Sequence, residues 1–477
     1  MSRFDYDLIV IGAGSGGISS AILSNNLGKT TALVEKQKIG GECTWTGCVP
    51  SKALIRAAET AHKVQQMQRL GLRSEATASL NTDGVMDHVR SVIQQVYEEE
   101  TPQVFEDKGI DVYIGGAEFV DPHTIKTGDA AISGKSFIIS TGSSPRIPEI
   151  PGVEDIDYLT NETLFDLPKL PQSLLVIGGG PIGVEMAQAM NRLGVEVTLV
   201  QRSTLLKKDD RELVDLLTKH LRSEGVTVHL NTRPQRVSQT SNGVILHAKH
   251  AERGEFELQA EQVLMATGRI PNVETLQLQN AGVRYSNRGI HVNPKLQTSA
   301  SHIYAIGDVI NGPLFSHAAE YQATLAVQNA VLPLPIKKKA EYDWIPWVTF
   351  SAPELAHVGL TEKEARTRWG DSIRVYDYDY KNVDRAKTDL HTLGKSKFVF
   401  DPKGKLVGAH ILGYHAAELL HEAMLTRFVD ASFDKLGQMV HAYPTYGDVI
   451  KRPSTAFYVD RLQNKFIIKV IKKLVSK

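Results

Sequence analysis

The sequence has little of several features that would narrow its function at once. It contains only two cysteines among 477 residues, too few for the disulfide framework of a secreted protein. Its 54 Lys and Arg residues balance 54 Asp and Glu residues, so no net charge favours a nucleic acid or a membrane surface as partner. No apolar run reaches the roughly 18 residues that cross a bilayer, and the N-terminus lacks a secretory signal pattern. We therefore expect a soluble, cytoplasmic protein.

The length predicts about three domains, since one domain commonly has roughly 100–200 residues. Proline-rich stretches at 145–151 and 333–339 are candidate linkers between them. The last third mixes strand and helix patterns and contains no phosphate loop, which favours an α+β domain. Its predicted strands are Trp347–Phe350, Arg374–Tyr378, Ser396–Phe400 and Leu406–Leu412, and its predicted helices lie near 415–428 and 446–458.

The N-terminal segment has the pattern of a dinucleotide-binding unit. An apolar strand, Tyr6–Ile11, leads into a glycine-rich turn and a helix, and a second strand ends at Glu35. In such a turn the glycines allow a tight bend, close approach to a pyrophosphate and packing of the helix on the strand. Glu35 stands where a carboxylate accepts hydrogen bonds from a ribose diol. The glycines are Gly12, Gly14 and Gly17.

The same pattern recurs after residue 172. The strand Ser173–Ile177 leads into Gly178, Gly180 and Gly183, and Gln201 follows Gly178 by the same interval that separates Glu35 from Gly12. Gln201 and Arg202 thus replace the acid, and Lys207 and Lys208 follow them. Because a 2′-phosphate is attracted by cations and repelled by a carboxylate, NADP is favoured over NAD.

The two cysteines are five positions apart, directly before a predicted helix from Ala53 towards Gln66. In a regular helix residues at this separation are about 8–9 Å apart, beyond the roughly 4.4–6.8 Å between the Cα atoms of a disulfide. Pairing of Cys43 with Cys48 therefore requires an irregular start of the helix, which Gly47 allows. A closed zinc site is not favoured, because the chain has no further cysteine.

Together these segments resemble the class I pyridine nucleotide-disulfide oxidoreductases, a family that includes dihydrolipoamide dehydrogenase, glutathione reductase and mercuric reductase. The resemblance also rests on the turns at 141–143 and 266–269 and on the stretch 305–308. It implies an α/β fold with two Rossmann-like domains and a C-terminal α+β domain that forms a homodimer. The implied borders are 1–145 and 268–335 for the FAD domain, 146–267 for the NAD(P) domain, 340–460 for the interface domain and 461–477 for a basic tail.

The resemblance also implies roles for individual residues. Cys48 would be the sulfur beside the flavin and Cys43 the sulfur that meets a small-molecule acceptor, while Lys52 and Glu185 would pair beside the flavin edge where hydride arrives. Asp308 would contact FAD. The further implied cofactor-binding residues are Gly12, Gly14, Gly17, Glu35, Gly41, Gly116, Thr141, Gly142, Gly178, Gly180, Gly183, Gln201, Arg202 and Gly268.

One segment departs from the family pattern. Members that reduce disulfides carry a histidine before a proline and a glutamate further on, where this chain has Tyr443 and Asp448. A tyrosine, with a reference pKa of about 10, is a poor base near neutral pH. Two interpretations remain open: His441 supplies the base, or the acceptor needs no proton shuttle, as with a soft metal ion held by thiolates. Mercuric reductase is similar here, because it too has a tyrosine at this place.

The C-terminal tail and the role of the protein each allow more than one interpretation. The basic, amphipathic tail would either pack on the subunit interface or lie on a membrane surface. The rival functions are a dihydrolipoamide dehydrogenase-type enzyme that uses His441 as base, a membrane-associated quinone or dye reductase with vestigial cysteines, and a flavin-bearing redox sensor. The favoured prediction is an FAD enzyme that passes electrons from NAD(P)H through Cys43 and Cys48 to a small disulfide or a thiol-bound soft metal ion.

Overall fold

The computed structural model describes residues 4–73 and 81–463, and the chain divides into two compact units. Unit 1 comprises Met1–Gly178, Arg192–Val200 and Thr232–Tyr342. Unit 2 comprises Gly179–Asn191, Gln201–Asn231 and Asp343–Lys477. The first glycine-rich motif thus lies wholly in unit 1, whereas the helix of the second motif belongs to unit 2.

The strands of the described residues are labelled in chain order. They are β1 Tyr6–Ile11, β2 Thr31–Glu35, β3 Asp111–Ile114, β4 Ala117–Asp121, β5 Thr124–Thr127, β6 Ala130–Ile139, β7 Ser143–Pro145, β8 Ser173–Ile177, β9 Glu196–Val200, β10 Thr227–His229, β11 Thr232–Thr240, β12 Gly243–His250, β13 Gly254–Ala260, β14 Gln262–Met265, β15 Arg269–Pro271, β16 Tyr285–Ser286, β17 Gly289–Ile290, β18 Ile303–Ala305, β19 Trp347–Thr349, β20 Glu354–Gly359, β21 Arg374–Asp379, β22 Lys395–Phe400 and β23 Leu406–Gly413.

The α-helices are labelled in the same way. They are α1 Ser15–Asn26, α2 Gly41–Trp45, α3 Cys48–Gln65, α4 Val85–Tyr97, α5 Pro102–Glu106, α6 Pro181–Arg192, α7 Arg211–Ser223, α8 Ser316–Val331, α9 Glu362–Trp369, α10 Asp384–Thr388, α11 Ala416–Phe428, α12 Asp434–Gln438 and α13 Asp448–Gln463.

Unit 1 is built around the sheet that contains β1. Strands β3, β2, β1, β6 and β18 are parallel neighbours, and β5 and β4 continue from β6 in antiparallel order. The central residues of β1 are fully buried, as expected of a parallel strand covered on both faces. This arrangement brings the carboxyl ends of β1 and β6 together, and the glycine turn after β1 lies at that edge.

Unit 1 also contains smaller sheets. Strands β9, β8 and β14 form a parallel set, and β11, β12 and β13 form an antiparallel sheet beside it in the chain. A separate two-stranded ribbon joins β7 to β15, with Pro145 opposite Arg269. Pro145, predicted to begin a linker, is therefore the last residue of a strand.

Unit 2 contains an antiparallel sheet in the order β19, β20, β23, β22 and β21. Helices α11 and α13 pack on it around a buried aromatic core in which Phe400 stacks on Phe457 at 4.5 Å. The α+β character predicted for the last third is confirmed. No helix among the described residues is long and apolar enough to cross a membrane.

The predicted element boundaries differ from the observed ones mainly at helix starts. Helix α3 begins at Cys48 instead of Ala53, because Pro50 is well tolerated in the first turn of a helix. Helix α13 runs to Gln463, so the border predicted at residue 461 falls inside a helix. The rest of the predicted basic tail, 464–477, lies outside the described residues.

Candidate redox-active site

The two cysteines lie on either side of a break between α2 and α3. Gly47 interrupts the helical path with φ −125° and ψ −106°, and α3 begins at the next residue. A Cβ at Gly47 would meet the carbonyl oxygen of Glu42 at 2.9 Å, so a side chain does not fit there. The break brings the Sγ atoms of Cys43 and Cys48 to 3.7 Å. The predicted irregular helix start is confirmed, and the two thiols are close enough to form a disulfide with a small movement.

Ser316, the first residue of α8, contacts both sulfur atoms. Its Oγ lies 2.6 Å from the Sγ of Cys43 and 3.8 Å from the Sγ of Cys48. The hydrogen bond with Cys48 and burial raise the pKa of Cys43, while the Ser316 hydroxyl opposes this rise. The sequence did not single out Ser316, because it is 273 residues from Cys43 and belongs to no motif.

Glu42 precedes Cys43 and is held by two donors. An Nη2–H of Arg269 donates to its Oε2, and the side-chain amide of Asn161 donates to its Oε1 at 2.9 Å. Burial raises the pKa of Glu42 to about 7, although the charge of Arg269 opposes this rise. The charges of Asp308, Cys48 and Glu162 add to the rise. A carboxyl group that titrates near neutral pH therefore stands beside the cysteine pair.

Arg269 connects Glu42 to the predicted FAD contact Asp308. Its Nε–H donates to the Ser143 hydroxyl at 2.7 Å and lies 3.5 Å from a carboxylate oxygen of Asp308. The Ser143 hydroxyl donates in turn to Asp308 at 2.7 Å. The arginine side chain is 11% exposed and largely shielded from water, whereas the Glu42 side chain is 33% exposed. The turn that contains Arg269 contributed to the family resemblance, but the sequence did not predict the contact of Arg269 with Glu42.

The turn after β1 fits the pyrophosphate of a dinucleotide. A Cβ at Gly12 would meet the Ser140 carbonyl oxygen at 2.6 Å, and a Cβ at Gly17 would meet the Gly12 oxygen at 1.8 Å. The first turn of α1 has no capping side chain and no acid, so its free N–H groups can receive an anion. Gly41 packs on this turn, because a Cβ there would lie 2.6 Å from the Cα of Gly14.

Glu35 ends β2 beside the same turn. Its Oε2 accepts from the backbone N–H of Ala13 at 2.8 Å and its Oε1 from the N–H of Gln37 at 3.0 Å. These two bonds orient the carboxylate where the sequence predicted a ribose contact. The remaining predicted FAD glycines have open space around a built Cβ: they are Gly116, Gly142 and Gly268. The Thr141 hydroxyl is used within the fold, since it donates to the Asn272 carbonyl at 2.7 Å.

The second nucleotide motif is divided between the units. In unit 1, Gly178 has φ +122°, and a Cβ there would lie 2.2 Å from the Ala266 oxygen. In unit 2, a Cβ at Gly180 would meet nothing within 4 Å, which leaves room at the start of α6. The Gln201 side chain turns back to donate to the Thr204 carbonyl at 3.2 Å. Arg202 beside it is exposed, so it is the better candidate for a phosphate.

Lys52 and Glu185 belong to different units. Lys52 lies on α3 of unit 1, one turn after Cys48. Glu185 lies on α6 of unit 2, where it is buried and accepts from the Phe350 N–H at 2.8 Å. This hydrogen bond satisfies one oxygen of the buried carboxyl group.

The segment with Tyr443 presents different contacts from those expected. The Tyr443 hydroxyl donates to Asp384 at 3.1 Å, and hydrogen bonding to this carboxylate raises the pKa of the phenol. Asp448, which matches the family's glutamate, instead lies 3.7 Å from Arg452. His441 has Nδ1 at 3.2 Å from the Met439 carbonyl and Nε2 at 2.9 Å from Glu422. Both ring nitrogens thus face acceptors.

An apolar surface surrounds this segment of unit 2. Phe428 is 88% exposed and Val440 is 93% exposed, and both are large apolar side chains that cost free energy in contact with water. The other exposed apolar residues of this surface are Leu425, Val429 and Met439. Such a surface fits contact with a second copy of the chain.

Comparison with known proteins defines the class. Residues 6–323 match the model of the pyridine nucleotide-disulphide oxidoreductases, and residues 345–453 match the dimerisation domain of the same family. The chain therefore belongs to the pyridine nucleotide-disulphide oxidoreductase family. It is an enzyme that binds FAD and uses NAD(P)H, and the dimerisation domain supports a homodimer.

Individual relatives cover nearly the whole chain. It is 36% identical over 459 residues to a mercuric reductase of Staphylococcus aureus, covering 96% of this chain and 83% of that protein. It is 35% identical over 459 residues to a dihydrolipoyl dehydrogenase of Thermus scotoductus, covering 95% and 97%. Among solved structures, the HOCl-induced flavoprotein disulfide reductase RclA from Escherichia coli is similar with a TM-score of 0.83, 26% identity and coverage of 94% and 99%. The relatives thus differ in named activity.

Proposed function

We propose that this enzyme passes electrons from NADPH through the Cys43 and Cys48 pair to a small acceptor that is a disulfide or a soft metal ion carried by thiols. The observation that carries the proposal is the 3.7 Å separation of the two sulfurs across the break at Gly47. A pair at this distance can alternate between dithiol and disulfide without refolding either helix. Mercuric reductases and dihydrolipoyl dehydrogenases among the relatives support both acceptor classes.

The cofactor residues follow from the fit of the glycine turns. Gly12, Gly14 and Gly17 with Glu35 would hold the FAD pyrophosphate and ribose, and Arg202 would hold the 2′-phosphate of NADPH. FAD supplies a carrier that takes hydride from the nicotinamide and delivers two electrons to the cysteines. The chain's own part is to hold the sulfur pair, to exclude water through the Arg269 network, and to keep the Cys43 sulfur within reach of Ser316.

The contacts of unit 2 favour an acceptor that needs no histidine base. A general base needs a free lone pair at neutral pH, and His441 directs one nitrogen to Met439 and the other to Glu422. Tyr443 is a donor to Asp384 with a raised pKa, so it is a poor base. A thiol-carried soft metal ion meets this condition, because its reduction transfers electrons without protonating a leaving thiolate.

The test compares the rates of NADPH oxidation with different acceptors and then removes the sulfur of Cys48. We expect NADPH oxidation by the wild type with at least one of three acceptors: mercuric ion in excess thiol, oxidised glutathione or lipoamide. Cys48→Ser should lower that rate by on the order of 10³-fold or more, the size found when a nucleophile is removed. Full turnover by Cys48→Ser would show that the electrons do not pass through the cysteine pair. Turnover with a disulfide alone would return His441 to consideration as the base.

A further inference from the structure

Glu42 is the group near the cysteines for which the proposed chemistry has no role. It lies directly before Cys43, and the carbonyl of the same residue is the atom that closes the space at Gly47. Its carboxylate is fixed by Arg269 and by Asn161 at 2.9 Å, so it cannot swing away into solvent. The Glu42 side chain also lies close to the second cysteine in the chain, since its Cγ would be 3.1 Å from a Cβ at Gly47, the residue before Cys48. In agreement with this position, the charge of Glu42 raises the pKa of Cys43, and the charge of Cys48 raises the pKa of Glu42.

Reduction of the pair creates negative charge beside this carboxylate. A hydride supplied by NAD(P)H brings two electrons and one proton. The electrons break the S–S bond, the proton is retained by one sulfur, and the other sulfur remains a thiolate. The site thus gains one negative charge when it is reduced and loses that charge when the disulfide forms again.

We propose that Glu42 is a positioning residue that sets the reduction potential of the Cys43 and Cys48 pair and makes the reduced pair a stronger electron donor. The inference rests on the proposed function of the two cysteines. A fixed carboxylate repels a neighbouring thiolate but has little effect on the neutral disulfide, so it disfavours the reduced state. The electrons held by the pair are then given up more readily to an acceptor.

Arg269 limits the size of this effect and opposes the burial that raises the pKa of Glu42 to about 7, so the carboxylate is ionised at mildly alkaline pH. Its guanidinium also donates to the Ser143 hydroxyl and approaches Asp308 at 3.5 Å. The two acids share one cation, so the group as a whole has a negative excess beside the sulfurs. Neutralising Glu42 removes repulsion and also leaves Arg269 less compensated, and both changes favour the thiolate.

The experiment measures the thiol–disulfide equilibrium of the holoenzyme. The protein is equilibrated at mildly alkaline pH in dithiothreitol buffers with different ratios of oxidised to reduced reagent. Free thiols are then alkylated and counted by mass spectrometry, a readout that does not depend on turnover. We expect Glu42→Gln to shift the equilibrium towards the reduced pair by about tenfold, which is about 30 mV for a two-electron couple.

Matched variants separate charge from structure. Glu42→Asp keeps the charge and should retain most of the wild-type potential, and Glu42→Met is a second neutral variant in case Glu42→Gln does not fold. Glu162→Gln removes an exposed acid that also influences Glu42 and should move the potential much less. Equal potentials for the wild type and the folded neutral variants would overturn the inference. A wild-type pair that never oxidises in any buffer would instead overturn the proposed redox function.

Discussion

Two acidic clusters in this protein, one in each unit, differ in how completely cations surround them. In unit 2, Lys397 lies on β22 with its side chain 4% exposed, and its Nζ is within 3.1 Å of Asp210, Glu212 and Glu362. Hydrogen bonds from Lys395 and Lys397 hold the pKa of Glu212 below its ordinary value. In unit 1, Glu42 shares Arg269 with Asp308, and burial raises its pKa to about 7.

The difference between the two clusters indicates that the supply of cations, more than burial alone, decides whether an interior carboxyl group stays ionised. In the Lys397 cluster both Lys395 and Lys397 bind the acids, which fits a role in stability. The cluster of Glu42 is undercompensated and lies beside the sulfurs, which fits a role in redox chemistry. Two substitutions of interior groups test this contrast, and a third, at the exposed Tyr443, tests the segment that departs from the family pattern.

The largest stability effect is expected from Lys397→Met. This change leaves three carboxylates without their shared cation inside unit 2, and breaking a buried ion pair on one side costs about 3–5 kcal/mol. We expect a correspondingly lower free energy of unfolding in urea. Lys403→Met, at an exposed site, is the matched control and should be close to neutral. A small change in the free energy of unfolding of Lys397→Met would contradict the idea that Lys397 compensates its cluster better than Arg269 compensates that of Glu42.

An intermediate effect is expected from Asp209→Asn, and it depends on pH. Burial raises the pKa of Asp209 to about 6, although its carboxylate accepts from the Trp347 Nε1–H at 2.9 Å. The folded state therefore binds a proton more tightly than the unfolded state. The stability from this group is present below about pH 4 and is lost as pH rises through about 6.

Asparagine has no such titration and can still accept from Trp347. Relative to the wild type, Asp209→Asn should therefore gain on the order of 2 kcal/mol in free energy of unfolding between acidic and neutral pH. Urea titrations at several pH values measure this difference. The exposed Asp129→Asn should show no comparable trend. A parallel pH dependence of wild type and Asp209→Asn would contradict the raised pKa.

The smallest effect is expected from Tyr443→Phe. The hydroxyl bonds Asp384 on an exposed surface, where a single hydrogen bond contributes little, so the urea midpoint should not change. Turnover should fall by less than about tenfold, below the 10²–10⁴-fold that a general acid or base supplies. A larger loss, with a missing limb in the pH–rate profile, would show that the phenol transfers a proton. His441→Gln measured in parallel would locate any remaining base.

Local sequence patterns were sufficient to predict the central strand of unit 1 and the break in the helix at the cysteines. The strands β1 and β8 match their predicted spans, because short apolar runs that end at a glycine-rich turn fit few other structures. The geometric demand of a disulfide predicted the irregularity at Gly47 without knowledge of the family. Glycine positions also located the first nucleotide turn, since each removes a specific steric clash.

Contacts between distant segments were not predictable in this way. Glu42 and Arg269 are 227 positions apart, and Tyr443 and Asp384 are 59 apart. Nothing in the local pattern around either partner indicates the other, because charged and aromatic residues are common on surfaces. The orientation of His441 towards Glu422 likewise depends on how the segment folds against α11.

The contact between Glu42, Asn161 and Arg269 has a consequence for engineering. The cysteine segment cannot be transferred to another protein on its own, because Glu42 is bonded to Asn161 and Arg269 from two other parts of the chain. A graft of residues 40–52 into a relative that lacks the matching amide and guanidinium would carry an uncompensated carboxylate into its interior. A redesign of the reduction potential of the cysteine pair therefore has to consider Glu42, Asn161 and Arg269 together.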